Sequence, residues 1–125
     1  MAELKFTKDH ECLYVEGDTA WVGITSYAKD ALGDIVFVDL PAVGKSVSKG
    51  DSFAVIESVK TAADVYSPVS GSVVEANDNI PGDLDLIAKP LKDGGWIAKI
   101  KMSDTSQLTG LMSEAEYQDY LKTVD

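Results

Sequence analysis

The segment from Phe53 to Tyr66 constrains the fold more than any other part of the sequence. Two short apolar runs rich in β-forming residues, one ending at Ser58 and one beginning near Ala63, flank the four residues 59–62. This pattern predicts a β-hairpin with Lys60 at or near its tip. The reversal contains no Gly, Asn or Asp, so we expect its shape to depend on the surrounding fold.

The chemistry open to Lys60 is limited by its neighbours. A free lysine amine is almost entirely protonated near neutral pH, and Glu57 and Asp64, which lie nearby in the sequence, favour the charged form. Lys60 is therefore poorly suited to catalysis through a Schiff base, which needs a neutral amine. It can still accept an acyl group that another enzyme has activated. A plain solvated surface lysine is the alternative that the pattern alone favours.

The composition predicts one globular domain with a single core. The chain has 125 residues, of which 45% are hydrophobic and 26% charged, as in ordinary globular proteins. No stretch approaches the roughly 18 consecutive apolar residues of a membrane-spanning helix. We therefore expect no membrane association.

The chain is strongly acidic: it has 21 acidic residues, 11 lysines, no arginine and a net charge of -10. Nucleic-acid binding needs clustered cations and often arginine, so we expect no nucleic-acid partner. An acidic surface favours partners with basic patches. Simple solubility explains the same charge equally well.

Cysteine and histidine are too few for the commonest metal and catalytic sites. Cys12 is the single cysteine, which excludes an intrachain disulfide and fits a reducing compartment. His10, Glu11 and Cys12 give too few ligands for a structural zinc site. In an extended chain His10 and Cys12 also lie too close together to act as base and nucleophile with room for a substrate. We expect no metal and no catalytic residue. The opening residues resemble neither a signal nor a transit peptide, which predicts the bacterial cytoplasm, or the mitochondrial matrix if a presequence has been removed.

The remaining segments alternate short strands with short helices. Patterning predicts a hairpin from Leu4–Thr7 and Cys12–Val15, a helix from Thr25 to Leu32 stopped by Gly33, and a buried strand from Asp34 to Leu40. Later elements are a helical turn at 83–87, a strand at 96–102, a helix capped by Asp104 and a final helix with a capping box at Ser113 and Glu116. That last helix carries an apolar stripe, which we expect to pack on the domain itself: Tyr117, Tyr120, Leu121 and Val124. Together, these predicted strands and short helices indicate a β-rich sandwich or flattened barrel.

The hairpin and several other motifs resemble one family. Residues 57–61, Glu-Ser-Val-Lys-Thr, with Asp64-Val65, Ser67-Pro68 and Val69-Ser70-Gly71, resemble the lipoyl-attachment segment of the glycine cleavage system H proteins. The resemblance extends through 22–28, 32–41 and 95–101, and so covers nearly the whole chain. It implies a mainly β barrel-sandwich hybrid of the lipoyl and biotinyl carrier type, with short helices that include a C-terminal helix. It also implies one lipoyl-carrier domain, 1–125, with a core of roughly 18–102 and a helical segment at 103–125.

The resemblance implies a carrier protein, which is not an enzyme but a co-substrate of a multienzyme system. Lipoate would be attached covalently to Lys60 as a swinging arm. The arm would take an aminomethyl group from glycine decarboxylase, a pyridoxal phosphate enzyme, to aminomethyltransferase, in glycine catabolism and one-carbon metabolism. It would deliver electrons to dihydrolipoyl dehydrogenase, and a lipoate-attaching enzyme would load it. We expect a monomer.

The resemblance also assigns roles to other residues. Glu57 and Gly71 would be recognised by the lipoylating enzyme, although Gly71 can equally reflect a close approach of backbones. Glu11, Leu32 and Asp64 would line a cleft into which the loaded arm retreats, where a carboxylate suits a protonated amine. The alternative for Glu11 and Asp64 is ordinary surface charge. Cys12, Ala31 and the loop before Gly95-Trp96 depart from the family pattern and leave the shape of the cleft open.

Three other functions stay open at this stage. An H-like relay would donate octanoyl or lipoyl groups to 2-oxoacid dehydrogenase complexes. Biotin carriage is disfavoured because Val59 and Thr61 flank the lysine where biotin carriers typically have methionines. A binding module would leave Lys60 unmodified.

Overall fold

The computed structural model describes residues 3–89, 91 and 94–123. Over these residues the chain forms two antiparallel sheets and short helices. The strands are β1 (Glu3–Phe6), β2 (Glu11–Glu16), β3 (Thr19–Ile24), β4 (Ile35–Asp39), β5 (Ser46–Val47), β6 (Ser52–Ser58), β7 (Ala62–Tyr66), β8 (Gly71–Ala76) and β9 (Ala98–Met102). The helices are α1 (Ser26–Leu32) and α2 (Glu114–Leu121), with 3₁₀ turns at Leu84–Ala88 and Thr105–Gly110.

The two sheets pack face to face around one apolar core. The larger sheet has the order β1-β2-β3-β9-β8-β5, and the smaller has the order β4-β6-β7. Both contribute buried side chains to one cluster, such as Leu13 and Ile100 from the larger sheet and Ile56 and Val65 from the smaller. Alternation along each strand directs these side chains inward. The predicted mainly β architecture with a C-terminal helix is confirmed.

The C-terminal helix covers the opposite face of the larger sheet. Tyr117 on α2 is buried and stacks on Phe6, with ring centroids 4.7 Å apart. Tyr120 and Leu121 pack against the same cluster. The predicted packing of this stripe on its own domain is therefore confirmed for these three residues, and Val124 lies outside the described residues.

The predicted helix caps are present. The Thr25 hydroxyl accepts the Ala28 N–H at 3.2 Å, and Gly33 ends α1 with a φ of 78°, a conformation that favours glycine. Ser113 and Glu116 form the predicted capping box at the start of α2. These local signals place both helices correctly.

The predicted buried strand from Asp34 to Leu40 is wrong in its burial. The strand is Ile35–Asp39, and its pairing with β6 shifts between Ile35 and Phe37. The shift marks a β-bulge, in which one extra residue breaks the alternation of side chains. Val36 and Phe37 are consequently both exposed, at 55% and 48%, whereas Val38 is buried.

The first two strands continue the larger sheet. β2 pairs with β3 over the whole of Glu11–Glu16, and β1 pairs with β2. The division into a core at 18–102 and a segment at 103–125 stays a prediction. Within the described residues, no helix is long and apolar enough to cross a membrane.

Candidate functional site

Lys60 lies at the tip of the β6–β7 hairpin. Glu57 and Ala62 form the last pair of the ladder, and residues 59–61 connect the two strands. Lys60 is exposed and lies outside any helix. The predicted display of this lysine on a protruding turn is confirmed.

The side chain of Ser58 shapes the turn. Its Oγ accepts the backbone N–H groups of Lys60 and Thr61, each at 3.2 Å, and it donates to the Thr61 carbonyl at 3.2 Å. The Ser58 N–H also donates to the Thr61 carbonyl at 2.8 Å. Ser58 thus replaces the Gly, Asn or Asp that such a turn commonly uses. Sequence reasoning missed this role, although a serine directly before a reversal is a known turn signal.

The loop between α1 and β4 supports the tip from one side. The Val59 N–H donates to the Asp34 carbonyl at 3.0 Å. A Cβ at Gly33 would lie 3.4 Å from Cε of Lys60 and 3.7 Å from its Nζ. The lysine side chain therefore lies along this loop, and the tip depends on a neighbouring segment for its shape, as the sequence predicted.

The surroundings of Lys60 leave its amine accessible. Among the residues that the structure describes, no carboxylate forms an ion pair with the Lys60 ammonium. Glu57 is exposed on β6. Asp64 is exposed on β7, and its Oδ1 accepts the Ser52 hydroxyl at 3.0 Å. The amine is thus free to meet a reactive group carried by another protein.

Glu11 occupies a different environment, since its side chain is buried. The residue is only 4% exposed, and the Thr7 hydroxyl donates to its Oε1 at 2.8 Å. The pKa of Glu11 is raised from 4.5 to about 7, chiefly by burial and with a smaller contribution from Asp9, while hydrogen bonds from Thr7 and the Tyr66 backbone oppose the increase. Glu11 therefore changes charge near neutral pH.

A cavity of about 210 Å³ adjoins Glu11. Its walls come from the β1–β2 turn, the β5–β6 turn, the end of β7 and the segment before α2, and they include Thr7, Glu11, Lys49, Tyr66 and Met112. Both polar and apolar groups face the space. The cavity is large enough for a small polar group and its linker.

The three predicted cleft residues do not come together at this cavity. Leu32 is 8% exposed and belongs to the core between the sheets. Asp64 lies on the outer face of the smaller sheet, opposite Val55. Neither residue lines the cavity beside Glu11, and the docking role of all three stays a prediction.

Gly71 lies on β8 of the larger sheet, between Val47 on β5 and Met102 on β9. A Cβ at this position would overlap the Lys101 carbonyl oxygen and come within 3.0 Å of Ile100 Cγ2. This geometry supports the steric explanation for the glycine. Its recognition by a lipoylating enzyme, like that of Glu57, stays a prediction.

A polar network near Glu11 was not predicted. His10 has a φ of 68°, and its Nδ1 lies 2.8 Å from the Tyr117 hydroxyl, which lies 2.8 Å from the Thr25 hydroxyl. The network joins the β1–β2 turn to the start of α1 and to α2. Burial lowers the pKa of His10, against an opposing effect of Asp9. Only the fold brings these residues together, so the sequence carries no signal for the contact.

Cys12 fills an apolar position rather than a reactive one. It is buried in the cluster with Phe6, Tyr14 and Tyr117. Burial raises the pKa of Cys12 to about 12, with a smaller contribution from Glu11. Over 3–89, 91 and 94–123, no group of three or more His, Cys, Asp or Glu side chains could hold a metal ion.

Comparison with known proteins agrees with this architecture. The family model described as "Glycine cleavage H-protein" matches residues 4–124. The glycine cleavage system H protein of Beijerinckia indica is 49% identical over 124 residues, which cover 99% of this chain and 100% of that protein. The H protein of Caulobacter vibrioides is 49% identical over 121 residues, which cover 97% of this chain and 100% of that protein.

A solved structure agrees in fold. The crystal structure of a glycine cleavage system H protein from Mycobacterium marinum superimposes on this chain with a TM-score of 0.85 at 36% sequence identity. The superposition covers 96% of this chain and 97% of the Mycobacterium marinum chain. The match of nearly the whole chain, at this level of identity, shows that the chain belongs to the glycine cleavage H-protein family.

Proposed function

We propose that this chain is the lipoyl-carrying protein of a glycine cleavage system and that Lys60 is its attachment residue. The observation that carries the proposal is that Lys60 is exposed on a turn held by hydrogen bonds to the Ser58 hydroxyl and the Asp34 carbonyl. The family name identifies a protein of glycine cleavage, and the resemblance describes its members as carriers. The protein acts as a co-substrate of several enzymes.

The surroundings of Lys60 suit acylation by an external enzyme. The Nζ attacks the carbonyl carbon of an activated acyl group, the C–N bond forms, and the bond to the activating group breaks. The ammonium gives up two protons in the process, and no electrons are transferred to an oxidant. Because no ion pair within the described residues holds the ammonium, deprotonation does not have to break one.

The bound lipoyl group would supply a disulfide that can be reduced and can carry a group on sulfur. The contribution of the chain is to position that group. Tethering of the group to Lys60 replaces free diffusion by a high local concentration at each partner. The proposed partners are glycine decarboxylase, aminomethyltransferase, dihydrolipoyl dehydrogenase and a lipoate-attaching enzyme, in a bacterial cytoplasm. The net charge of -10 steers the chain toward basic surfaces.

Glu11 supplies a second part of the proposal. A buried carboxylate beside a cavity of about 210 Å³ can pair with a protonated amine that enters this space. Leu32 and Asp64 do not line this cavity, and their part in docking the arm stays a prediction of the resemblance. A role as an octanoyl or lipoyl relay is not favoured, because the names of the similar proteins refer to glycine cleavage.

The test measures the intact mass of the purified protein after incubation with a lipoate ligase, ATP and lipoate. We expect one lipoyl increment in the wild type and none in Lys60→Arg. Lys45→Arg, which changes another exposed lysine, should keep the increment. An increment on Lys60→Arg, or none on the wild type, would overturn the assignment. Glycine-dependent loading of the modified protein by glycine decarboxylase then separates the cleavage role from the relay role.

A further inference from the structure

The turn between β1 and β2 has an unusual backbone conformation at His10. Its φ of 68° lies in the left-handed region, which a residue with a side chain enters only at an energetic cost. Glycine or asparagine ordinarily takes such a position in a tight hairpin turn. Within the described residues, every other positive φ belongs to a glycine. Contacts with the rest of the protein must therefore hold His10 in this conformation.

Both the backbone and the ring of His10 are held by other elements. The Thr25 N–H, at the start of α1, donates to the His10 carbonyl at 2.9 Å. The His10 Nδ1 lies 2.8 Å from the hydroxyl of Tyr117 on α2, which lies 2.8 Å from the Thr25 hydroxyl. The Tyr27 ring packs on the imidazole, with centroids 4.3 Å apart. The two helices thus stabilise the left-handed residue together.

The side chain of Glu11 depends on the same turn. The Thr7 hydroxyl accepts the Glu11 N–H at 3.1 Å and donates to Glu11 Oε1 at 2.8 Å. The His10 N–H donates to the Thr7 carbonyl at 3.1 Å and closes the turn. Because Glu11 directly follows His10, a change in the His10 backbone would rotate the peptide group that carries the Glu11 N–H. The position of the Glu11 carboxyl group is therefore linked to the conformation of His10.

We propose that the His10 imidazole and the Tyr117 hydroxyl position Glu11 for the loaded arm. The inference rests on the proposed function, in which the Glu11 carboxylate pairs with the protonated amine of that arm. A carboxylate beside the amine keeps it protonated, and a protonated nitrogen has no lone pair with which to expel the sulfur. Neither His10 nor Tyr117 lines the cavity beside Glu11, so both are positioning residues that act through Glu11. The C-terminal helix thereby controls how long the aminomethyl group is retained.

The first test measures the pKa of Glu11 in the unmodified protein. Glutamate carboxyl ¹³C chemical shifts are followed between about pH 4 and about pH 9, and the Glu11→Gln spectrum identifies the Glu11 signal. Tyr117→Phe keeps the ring that stacks on Phe6 and removes only the hydroxyl. If the turn relaxes, the carboxyl group gains contact with water, and burial is the largest cause of its raised pKa. We expect the pKa of Glu11 to fall by about one unit or more in this variant.

His10→Asn separates the ring from the backbone. Asparagine enters the left-handed region more readily than most residues, but it has no imidazole to meet the Tyr117 hydroxyl. The pKa of Glu11 should therefore fall as in Tyr117→Phe, and a wild-type value in either variant would overturn the proposal. His10→Asn decides the question if thermal unfolding shows that Tyr117→Phe is not folded, because His10 lies outside the strands and helices.

Tyr27→Phe is the matched control. It removes a hydroxyl from the same aromatic group, and that hydroxyl makes no hydrogen bond among the described residues. The pKa of Glu11 should keep its wild-type value in this variant. An equal fall would show that any change near the His10 ring loosens the turn, and it would overturn the specific role of the Tyr117 hydroxyl.

The second test measures how long the aminomethyl group stays on the arm. Lipoylated protein is loaded by glycine decarboxylase with glycine and separated from the enzyme. Formaldehyde is then measured, as water cleaves the carbon–sulfur bond to give thiol, formaldehyde and ammonium. We expect release to be about fivefold faster in Tyr117→Phe and in Glu11→Gln, with no further increase in the double variant, because both changes remove one interaction.

Two outcomes of this second test are distinguishable. Additive effects in the double variant would mean that Tyr117 acts independently of Glu11, which would overturn the proposal and leave the proposed function intact. Release from Glu11→Gln at the wild-type rate would instead reject the docking role of Glu11 in the proposed function. The pKa is read without the arm, so it still decides whether His10 and Tyr117 position Glu11.

Discussion

Replacement of Glu11 by Gln should abolish a pH dependence of stability that the wild type shows near neutrality. The pKa of Glu11 rises from 4.5 to about 7 in the folded protein, chiefly because the carboxyl group is buried. At about 1.4 kcal/mol per pH unit, this difference corresponds to about 3 kcal/mol of folding free energy. Glutamine keeps an oxygen that can accept from Thr7 and cannot ionise.

The direction of the effect follows from the raised pKa. Below about pH 4.5 the carboxyl group is protonated in both the folded and the unfolded chain, so the full stability is present. As the pH rises toward 7, the unfolded chain ionises first and the folded state loses stability. Above about pH 7 the loss is complete. The free energy of unfolding of the wild type, relative to that of Glu11→Gln, should therefore fall across this window.

Urea denaturation at several values between about pH 4 and about pH 8 measures this difference. Subtracting the two profiles removes the contributions of groups common to both proteins, including His10 and the other carboxyl groups. Glu57→Gln replaces an exposed glutamate and should follow the wild-type profile. Parallel profiles for the wild type and Glu11→Gln would refute the argument, because they would mean that Glu11 ionises alike in the folded and unfolded chains.

Three further predictions address other parts of the site. Ser58→Ala should lower stability by about 1 kcal/mol and slow the acylation of Lys60, because it removes the hydroxyl that bonds the turn; equal melting and equal rates would contradict this. Gly71→Ala should destabilise by about 3 kcal/mol or more, since its Cβ would meet the Lys101 carbonyl, whereas Gly82→Ala, with open space, should melt like the wild type. The Cys12 thiol should react with a disulfide reagent only after denaturation, because it is buried with a pKa of about 12; fast reaction of the native protein would show that the site opens.

The elements that the sequence predicted well are those set by local interactions. Thr25, Gly33 and Ser113 mark the ends of their helices through contacts within a few residues. The sequence pattern is therefore enough to locate these helix ends. The two apolar runs around Lys60 likewise predicted the hairpin and the exposed lysine. The family motifs, which run in order along the chain, predicted the fold class that the Mycobacterium marinum structure shares.

The elements that the sequence missed depend on partners distant along the chain. Alternation in β4 predicted a buried strand, but its pairing with β6 introduces a bulge that exposes Val36 and Phe37. His10 meets Tyr117 across a separation of 107 residues.

The sequence by itself determined which residue is displayed and on what kind of turn, because strand propensity and reversal are local properties. Only the tertiary structure decided the environment of each charge. Glu11 is acidic in any fold, but its pKa of about 7 arises chiefly from its burial in the folded chain. Burial is a property of the assembled chain, and for this reason the chemistry of Glu11 was decided by the fold.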